Sequence, residues 1–369
     1  MPKGENMKIY SKQLVENLKS ISGIVCDFVF IDVTDPSNYA LYISTDVQAV
    51  KVPLEITDVA DDESKIYVIS KIEFCHLIPY VNEYLVLNSN YSYSANDNAI
   101  KGRFESNDDY VEELESRKSI FDNEDSYTDF AEITPTVFQN IISGSIFVAP
   151  DSVKPSEKFL DIKDRKVFSY SKMRIYINDI AIENEGLLSN EVIKSIQSLG
   201  VGCVIKKNNE SLLLTNAQRS IFEYFSTPNN VEFHPVLEDK FNGKIEQVKT
   251  FNKITVNIEE LRSKLDYISF YASRNPNSMC FLTVENDTLS LSTDENTFVN
   301  VPTVSIEKTE EFDVLSVPFD SSCLQLVTSK IGRDCENLTW CVSSESDKKL
   351  MLLCFGDTNE TVIIAKLNL

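Results

Sequence analysis

The sequence predicts an α+β chain in which six βαβββ-like units pair into three similar domains. Three observations carry this prediction. A short strand pattern running straight into a short helix pattern recurs along the 369 residues. Each helix pattern is followed by runs of alternating apolar and polar residues separated by polar turns, the period-two signature of strands. Each helix has a single apolar stripe, so it can cover one face of a sheet while its polar side stays in water. With 42% hydrophobic residues the chain can bury substantial cores, and its length suits two or three domains.

The first unit opens with "MKIYSKQLVENLKSIS", a strand and then a helix with Ser11 as the expected N-cap and Leu14, Leu18 and Ile21 on its buried stripe. Strand patterns "VCDFVFIDV", "YALYISTD" and "AVKVPLEI" follow. The second unit starts at "KIYVISKIEFCHLIPYV", with Ser70 before its helix, and continues through "YLVLNSN", "YSYSAND" and "AIKGRFES". An acidic stretch from Glu105 to Asp129 separates these from a third unit beginning "FAEITPTVFQNIISGSIFVA". Its strands include "KVFSYSK" and "RIYINDIAIE". The fourth unit has a helix capped by Ser189 or Asn190, with Ile193, Ile196 and Leu199 inward, and strands "VGCVIKK", "ESLLLTN" and "SIFEYFS". Thr227 to Lys249 has weak periodicity and is expected to be a connection.

The fifth unit has the strongest helix pattern, with Ile258, Leu261, Leu265 and Ile268 at helical spacing, followed by "MCFLTVEN", "TLSLSTD" and "FVNVPTVSIEK". The sixth places "FDSSCLQLVTSKIGR" between "FDVLSVPF" and the strands "LTWCVSS", "KLMLLCFG" and "TVIIAKLNL". Here Cys323, Leu324, Val327 and Ile331 form the inward side.

The formal net charge of -22 argues against a generally basic nucleic-acid coat and against attraction to anionic membranes. The charge is unevenly spread. The six helical segments carry ten Lys or Arg against seven Asp or Glu, so they are net positive while the rest of the chain holds the acid. Apart from Lys8 in the opening strand pattern, their cations are Lys12, Lys19, Lys71, Lys194, Arg262, Lys264 and Lys330, with Arg274 and Arg333 just beyond helix ends. Cations that serve only solubility are the ordinary explanation for such faces. A surface of mobile cations could also hold a polyanionic duplex without reading its bases.

Eight cysteines without a CxxC pair, and only two histidines, His76 and His234, offer no metal-ligand spacing, and reduced thiols are expected. No run approaches the ~18 apolar residues of a spanning helix, and the N-terminus lacks a signal-peptide core, so a soluble intracellular protein is expected. The acids Asp27, Asp32 and Asp35, and the pair Asp108 and Asp109, are the nearest approach to a catalytic cluster. They have no histidine partner, and no Walker, Rossmann or HExxH motif is present. A structural or assembly protein that does not enclose DNA is the non-enzymatic alternative.

In number, order and length these units resemble the bacterial DNA polymerase processivity clamp, the beta sliding clamp, in a divergent form such as a phage would carry. "MKIYSKQLVENLKSIS" looks like its opening strand and helix, "VPFDSSCLQLVTSKI" like its last helical unit, and "TVIIAKLNL" like its terminal strand and apolar tail. The resemblance implies a DNA-clamp fold with domains at 1–119, 130–245 and 246–369 and an acidic linker at 120–129. It implies a head-to-tail homodimeric ring, without catalytic residues or cofactor, that slides on duplex DNA and tethers a DNA polymerase. An ATP-dependent clamp loader would place the ring, in the cytoplasm of a bacterial cell or of a phage host. The nine helix cations would face the DNA. A peptide pocket for polymerase and loader tails would comprise Tyr170, Met173, Arg174, Ile175, Ile363, Ala365, Leu367 and Leu369. Lys172 and Met173 stand where the family often has Gly and His, and Lys366 where it has a Pro.

Overall fold

The computed structural model describes residues 6–45, 47–59, 65–112, 114, 118, 121, 126–171, 174–218, 221–226, 245–275, 278–294, 297–309, 312–331, 335–343, 350–356 and 360–365. Among the described residues a strand leads directly into a helix six times. The first helix (Ser11–Gly23) follows β1 (Asn6–Tyr10). After it come β2 (Phe28–Asp32), β3 (Ala40–Ser44), β4 (Gln48–Pro53) and the short β5 (Ile56–Thr57). The second helix (Lys71–Leu77) follows β6 (Ile66–Ser70) and precedes β7 (Tyr84–Asn88), β8 (Ser92–Ala95) and β9 (Ile100–Arg103). The third helix (Pro135–Gly144) lies between β10 (Thr128–Glu132) and the trio β11 (Phe159–Lys163), β12 (Lys166–Ser171) and β13 (Arg174–Asp179). The fourth (Asn190–Leu199) lies between β14 (Gly186–Ser189) and β15 (Val204–Lys207), β16 (Ser211–Asn216) and β17 (Ile221–Ser226). The fifth (Ile258–Ala272) follows β18 (Asn252–Asn257) and precedes β19 (Met279–Glu285), β20 (Thr288–Ser292), β21 (Phe298–Val301) and β22 (Thr303–Glu307). The sixth (Ser321–Lys330) lies between β23 (Val314–Asp320) and β24 (Asn337–Val342), β25 (Leu350–Phe355) and β26 (Thr361–Ala365).

The units interlock by exchanging their opening strands. β1 pairs with β7 of the second unit, while β6 pairs with β2 of the first. The same exchange joins β10 to β15 and β11 to β14, and again β18 to β24 and β19 to β23. A lone βαβββ unit leaves its opening strand unsatisfied; exchange with the next unit pairs it. Two further joints link third strands: β4 with β17, and β13 with β26. The third strands β9 and β21 instead end their sheets, with no outer partner among the described residues.

The chain forms two compact units, Met1–Phe138 with Lys194–Asn230, and Gln139–Ile193 with Val231–Leu369. The first contains a five-stranded sheet, β5-β1-β7-β8-β9, and an eight-stranded sheet, β10-β15-β16-β17-β4-β3-β2-β6. The second contains a nine-stranded sheet, β14-β11-β12-β13-β26-β25-β24-β18-β22, and a four-stranded sheet, β21-β20-β19-β23. Within the first unit, the first and second helices pack together, as do the fifth and sixth within the second.

The expected inward stripes are buried. Leu14 and Ile21, then Ile193, Ile196 and Leu199, then Ile258, Leu261, Leu265 and Ile268, and finally Cys323, Leu324, Val327 and Ile331 have almost no exposure; Leu18 is half-buried. Gly144 ends the third helix where a Cβ would come within 2.8 Å of Leu160 Cδ1 and 3.2 Å of Val167 Cγ2. Only a glycine lets the backbone approach the sheet this closely.

Three local readings need correction. Ser11 is not the N-cap: Tyr10 occupies that position, and Ser11 is the first helical residue, its buried hydroxyl donating to Glu83 O at 3.0 Å. A cap needs its side chain turned back to the helix N–H groups, and here the turn before β7 offers the Asn82 and Glu83 carbonyls instead. The acidic stretch carries core residues, since Leu114 and Phe121 pack with Phe30, Tyr42, Ile66 and Val68. Part of the expected connection is helical at residues 245–249, while 227–244 lie outside the described residues.

Candidate functional site

The helix cations fall into three groups. Lys12, Lys19, Lys194, Arg274 and Lys330 are exposed, and Lys264 is half-exposed. Their charges stay in water, where long-range attraction to a polyanion is available but screened by salt. Lys71 and Arg262 do not belong with them. Lys71 is buried, and its ammonium donates to the Ile24 carbonyl and, at 3.0 Å, to Ser22 O. It thereby compensates the carbonyl end of the first helix, so the expected outward placement is corrected. Arg262 Nε donates to Thr328 O at 2.7 Å, which fastens the fifth helix to the sixth. Arg333 lies outside the described residues.

Arg274 stacks over the rings of Phe270 and Tyr271, 5.2 and 5.8 Å from their centroids. With Tyr267, which is half exposed, these side chains make an aromatic patch at the end of the fifth helix. In the sequence this patch is obscured by the charges interleaved with it. Tyr267 and Phe270 fall outside the Leu261, Leu265 and Ile268 stripe, and that displacement was the available signal.

Three of the eight expected peptide residues, Tyr170, Ile175 and Ile363, fall on one row of the nine-stranded sheet. Strand register sets Tyr170 opposite Ile175, Ile175 opposite Ile363, Ile363 opposite Leu352, Leu352 opposite Cys341, and Cys341 opposite Lys253. Directly opposed residues share a face, so the row is a continuous strip across six strands. Ile245, Val248 and Phe251 pack onto it. These three were missed in the sequence, although their spacing of three within "IEQVKTF" is the signal of one helical turn and its exit.

Ile175 and Ile363 are 5% and 0% exposed, so both help to seal this core, while Tyr170 at its margin is half-buried. Arg174 lies on the opposite face, opposite Ile364, and its guanidinium is ion-paired to Asp320. Ala365 ends β26; Met173, Leu367 and Leu369 lie outside the described residues.

The acids considered for catalysis serve turns and packing. Buried Asp32 accepts from Thr34 N at 2.9 Å and pairs with Lys118. Asp35 accepts from Ser37 N and Oγ, and these bonds hold its carboxyl below the usual range. Asp108 accepts from the Tyr91 hydroxyl. Among the described residues no group of three or more His, Cys, Asp or Glu is arranged to hold a metal ion, and no helix is long and apolar enough to cross a membrane.

No family model and no curated protein matches the sequence. Solved structures do match the fold. The DNA polymerase III beta chain of Streptococcus pneumoniae is 12% identical with a TM-score of 0.72, over 99% of this chain and 100% of that one. The DNA polymerase III beta subunit of Thermotoga maritima is 15% identical with a TM-score of 0.72, over 98% and 100%. The Helicobacter pylori beta clamp, solved with a DNA ligase peptide, is 12% identical with a TM-score of 0.70, over 99% and 100%. From its first strand to its last, this chain has the fold of the bacterial beta sliding clamps.

Proposed function

We propose that the protein is a DNA polymerase processivity factor: a homodimeric ring that encircles and slides on duplex DNA and tethers the polymerase. An ATP-dependent clamp loader would place it, and the protein would act in the cytoplasm without catalysing a reaction. The observation that carries this reading is the threefold strand exchange with its two leftover edges. Third strands join in pairs at β4–β17 and β13–β26, so β9 of one copy and β21 of another are the remaining pair. Made twice, head to tail, that joint closes a ring of two three-domain subunits and removes every such edge.

Apolar side chains beside both edges support the joint. The fifth helix packs on β21 and exposes Tyr267 and Phe270, the latter by 62%. The second helix holds the chain leaving β9 through Glu73 Oε2, which accepts from Glu105 N at 2.8 Å, and it exposes Ile72 by 78%. In the ring, Lys12, Lys19, Lys194, Lys264, Arg274, Lys330 and Arg333 would supply distributed, sequence-independent attraction to phosphates. Polymerase and loader peptides would dock at the half-buried margin of the strip, against Tyr170, with buried Ile175 and Ile363 as the floor beneath it and Met173, Ala365, Leu367 and Leu369 completing the site, while Arg174 would act from the opposite face. The peptide-bound H. pylori relative supports that class of partner.

The test loads the protein on a nicked circular duplex and then cuts the circle. Retention on the circle and rapid release after cutting are expected. Equal, rapid loss from both forms rejects encirclement, and a monomer at micromolar concentration rejects the homodimer.

A further inference from the structure

Both joints between third strands inside the chain are covered on the sheet face away from the helices. Over β4–β17, Leu114 and Phe121 of the segment between β9 and β10 pack with Ala49 of β4 and Leu213 of β16, and Phe222 and Tyr224 of β17 lie against them. Over β13–β26, Ile245, Val248 and Phe251 of the segment between β17 and β18 pack with Ile175 and Ile363. The helices take the other faces, where Asn216 donates to Leu199 O and Tyr176 lies beside Gly144. The proposed β9–β21 joint forms between two chains, and each strand holds its half of the equivalent face open. On β9, Gly102 is opposite Tyr93, whose ring stacks on buried Phe104 at 4.4 Å, so Lys101 and Arg103 belong to the other face, and both are exposed. On β21, Val299 and Val301 are opposite buried Leu291 and Leu289, so Phe298 and Asn300 belong to the other face, and Phe298 is 57% exposed. We propose that the β9–β21 joint carries a composite docking site, built from Lys101 and Arg103 of one copy and Phe298 of the other, for an acidic peptide with apolar anchors from a partner protein.

The first joint shows what chemistry covers such a floor. There Lys51 stands directly opposite Phe222, its ammonium 5.8 and 5.9 Å from the ring centroids of Tyr42 and Phe222. The covering residues Leu114 and Phe121 belong to the acidic sequence "DDYVEELESRKSIFDNED". The second joint has an aliphatic floor, Ile175 opposite Ile363, and its cover belongs to "IEQVKTF", with a single acid. A cation beside an aromatic ring thus goes with an acidic cover. The β9–β21 joint is of that kind, with two cations instead of one.

In an antiparallel pair the outward residues of both strands share one face, so Lys101 and Arg103 border Phe298 once the joint is made. Half-buried Phe281 and Pro318 continue the Phe298 row across the four-stranded sheet through Ser292. The cations draw in acid and orient it, while the aromatic row supplies area for an apolar anchor to bury. A DNA duplex engages Lys101 and Arg103 through its phosphates and leaves that row unused, whereas an acidic peptide with apolar side chains engages both halves. The site depends on the proposed ring, because neither strand alone presents both halves.

The experiment titrates the full-length native protein with a fluorescein-labelled synthetic peptide of residues 108–125, read by anisotropy, while mass in solution is measured on the same samples. Saturable binding to the dimer is expected. A probe with serine at positions 114 and 121 should bind about tenfold more weakly, as should the Phe298→Ser protein, each through lost apolar anchorage. Lys101→Gln with Arg103→Gln should also weaken binding about tenfold and remove most of its salt dependence. Localisation needs no variant: a photo-cross-linker at position 121 of the probe should label the Phe281 or Phe298 segment of the native dimer, which keeps the outcome decisive even where a replacement weakens the ring. Labelling of the Tyr170 and Ile363 strip, or an oligonucleotide that displaces the probe more strongly than unlabelled peptide does, overturns the proposal. A dimer that does not bind the probe overturns this site alone and leaves the ring standing. A monomer removes the ring and the site with it.

Discussion

Asp320 holds two elements at once, and its replacement separates the two contributions. Oδ1 accepts from Cys323 N at 3.1 Å, capping the sixth helix, and from Ser322 Oγ at 2.6 Å, while Oδ2 pairs with Arg174 on β13. Losing a side-chain N-cap costs about 1 kcal/mol. The ion pair is half in solvent on its arginine side, with side-chain exposures of 35% and 12%, so it contributes at most about 1 kcal/mol. Asn caps as well as Asp but carries no charge. Asp320→Ala should therefore cost about 2 kcal/mol and Asp320→Asn no more than about 1 kcal/mol. Trp340, the single tryptophan, is fully buried in β24 of the same compact unit and reports that unit's unfolding. With a urea slope of about 2–3 kcal/mol per molar, the Ala and Asn midpoints should differ by about 0.3–0.5 M. Equal midpoints for the two variants would refute the capping argument, and an Asp320→Asn midpoint equal to wild type would remove the ion pair from the account.

Replacing Lys12, Lys19, Lys194 and Lys330 together with Gln should shorten retention on circular DNA several-fold without altering circular dichroism, while any one replacement changes little; unchanged retention would move the DNA-facing surface elsewhere. Tyr170→Ala should weaken an apolar peptide by about tenfold, the loss of one well-buried anchor at about 1.5 kcal/mol, measured by titration on protein shown to be folded. Alkaline pH should destabilise the fold. Below the ordinary thiol range both states hold the proton, but above it unfolded Cys203, Cys280 and Cys323 ionise while the folded thiols, pushed up to about 12, do not. The unfolded state then binds fewer protons, so stability falls as pH rises from about 9 towards 12, by up to ~1.4 kcal/mol per unit for each thiol. Urea midpoints of wild type and Cys203→Ala across that range test the slope, which should be shallower in the variant.

The repeat was legible because two periodicities alternate in it. Ile258, Leu261, Leu265 and Ile268 repeat at helical spacing, and "TLSLS" alternates at two, so helix and strand boundaries could be read without any partner in view. β11 was harder to delimit because "FLDIK" is short and follows a proline-bearing turn. The site was less legible. Lys71 and Lys12 look alike in sequence, and only the tertiary approach of the first helix's carbonyl end distinguishes the buried ammonium from the free one. The sheet strip could not be read from local pattern, because its members come from β12, β13, β26, β25, β24 and β18 and strand order is set by long-range pairing; only the family resemblance brought Tyr170, Ile175 and Ile363 together.

The strand exchange also imposes a timetable on synthesis. On a ribosome, β1 emerges long before β7, its partner, and β4 must remain without its outer neighbour until β17 is made. β13 waits in the same way for β26, the last strand described. During those intervals the nascent chain offers alternating strands such as "QAVKVP" as open templates for one another or for other chains. Chains stopped after the third or fifth unit should therefore aggregate even though every repeat they contain is complete, and the rate of translation, as much as the native stability, will govern the yield of soluble protein.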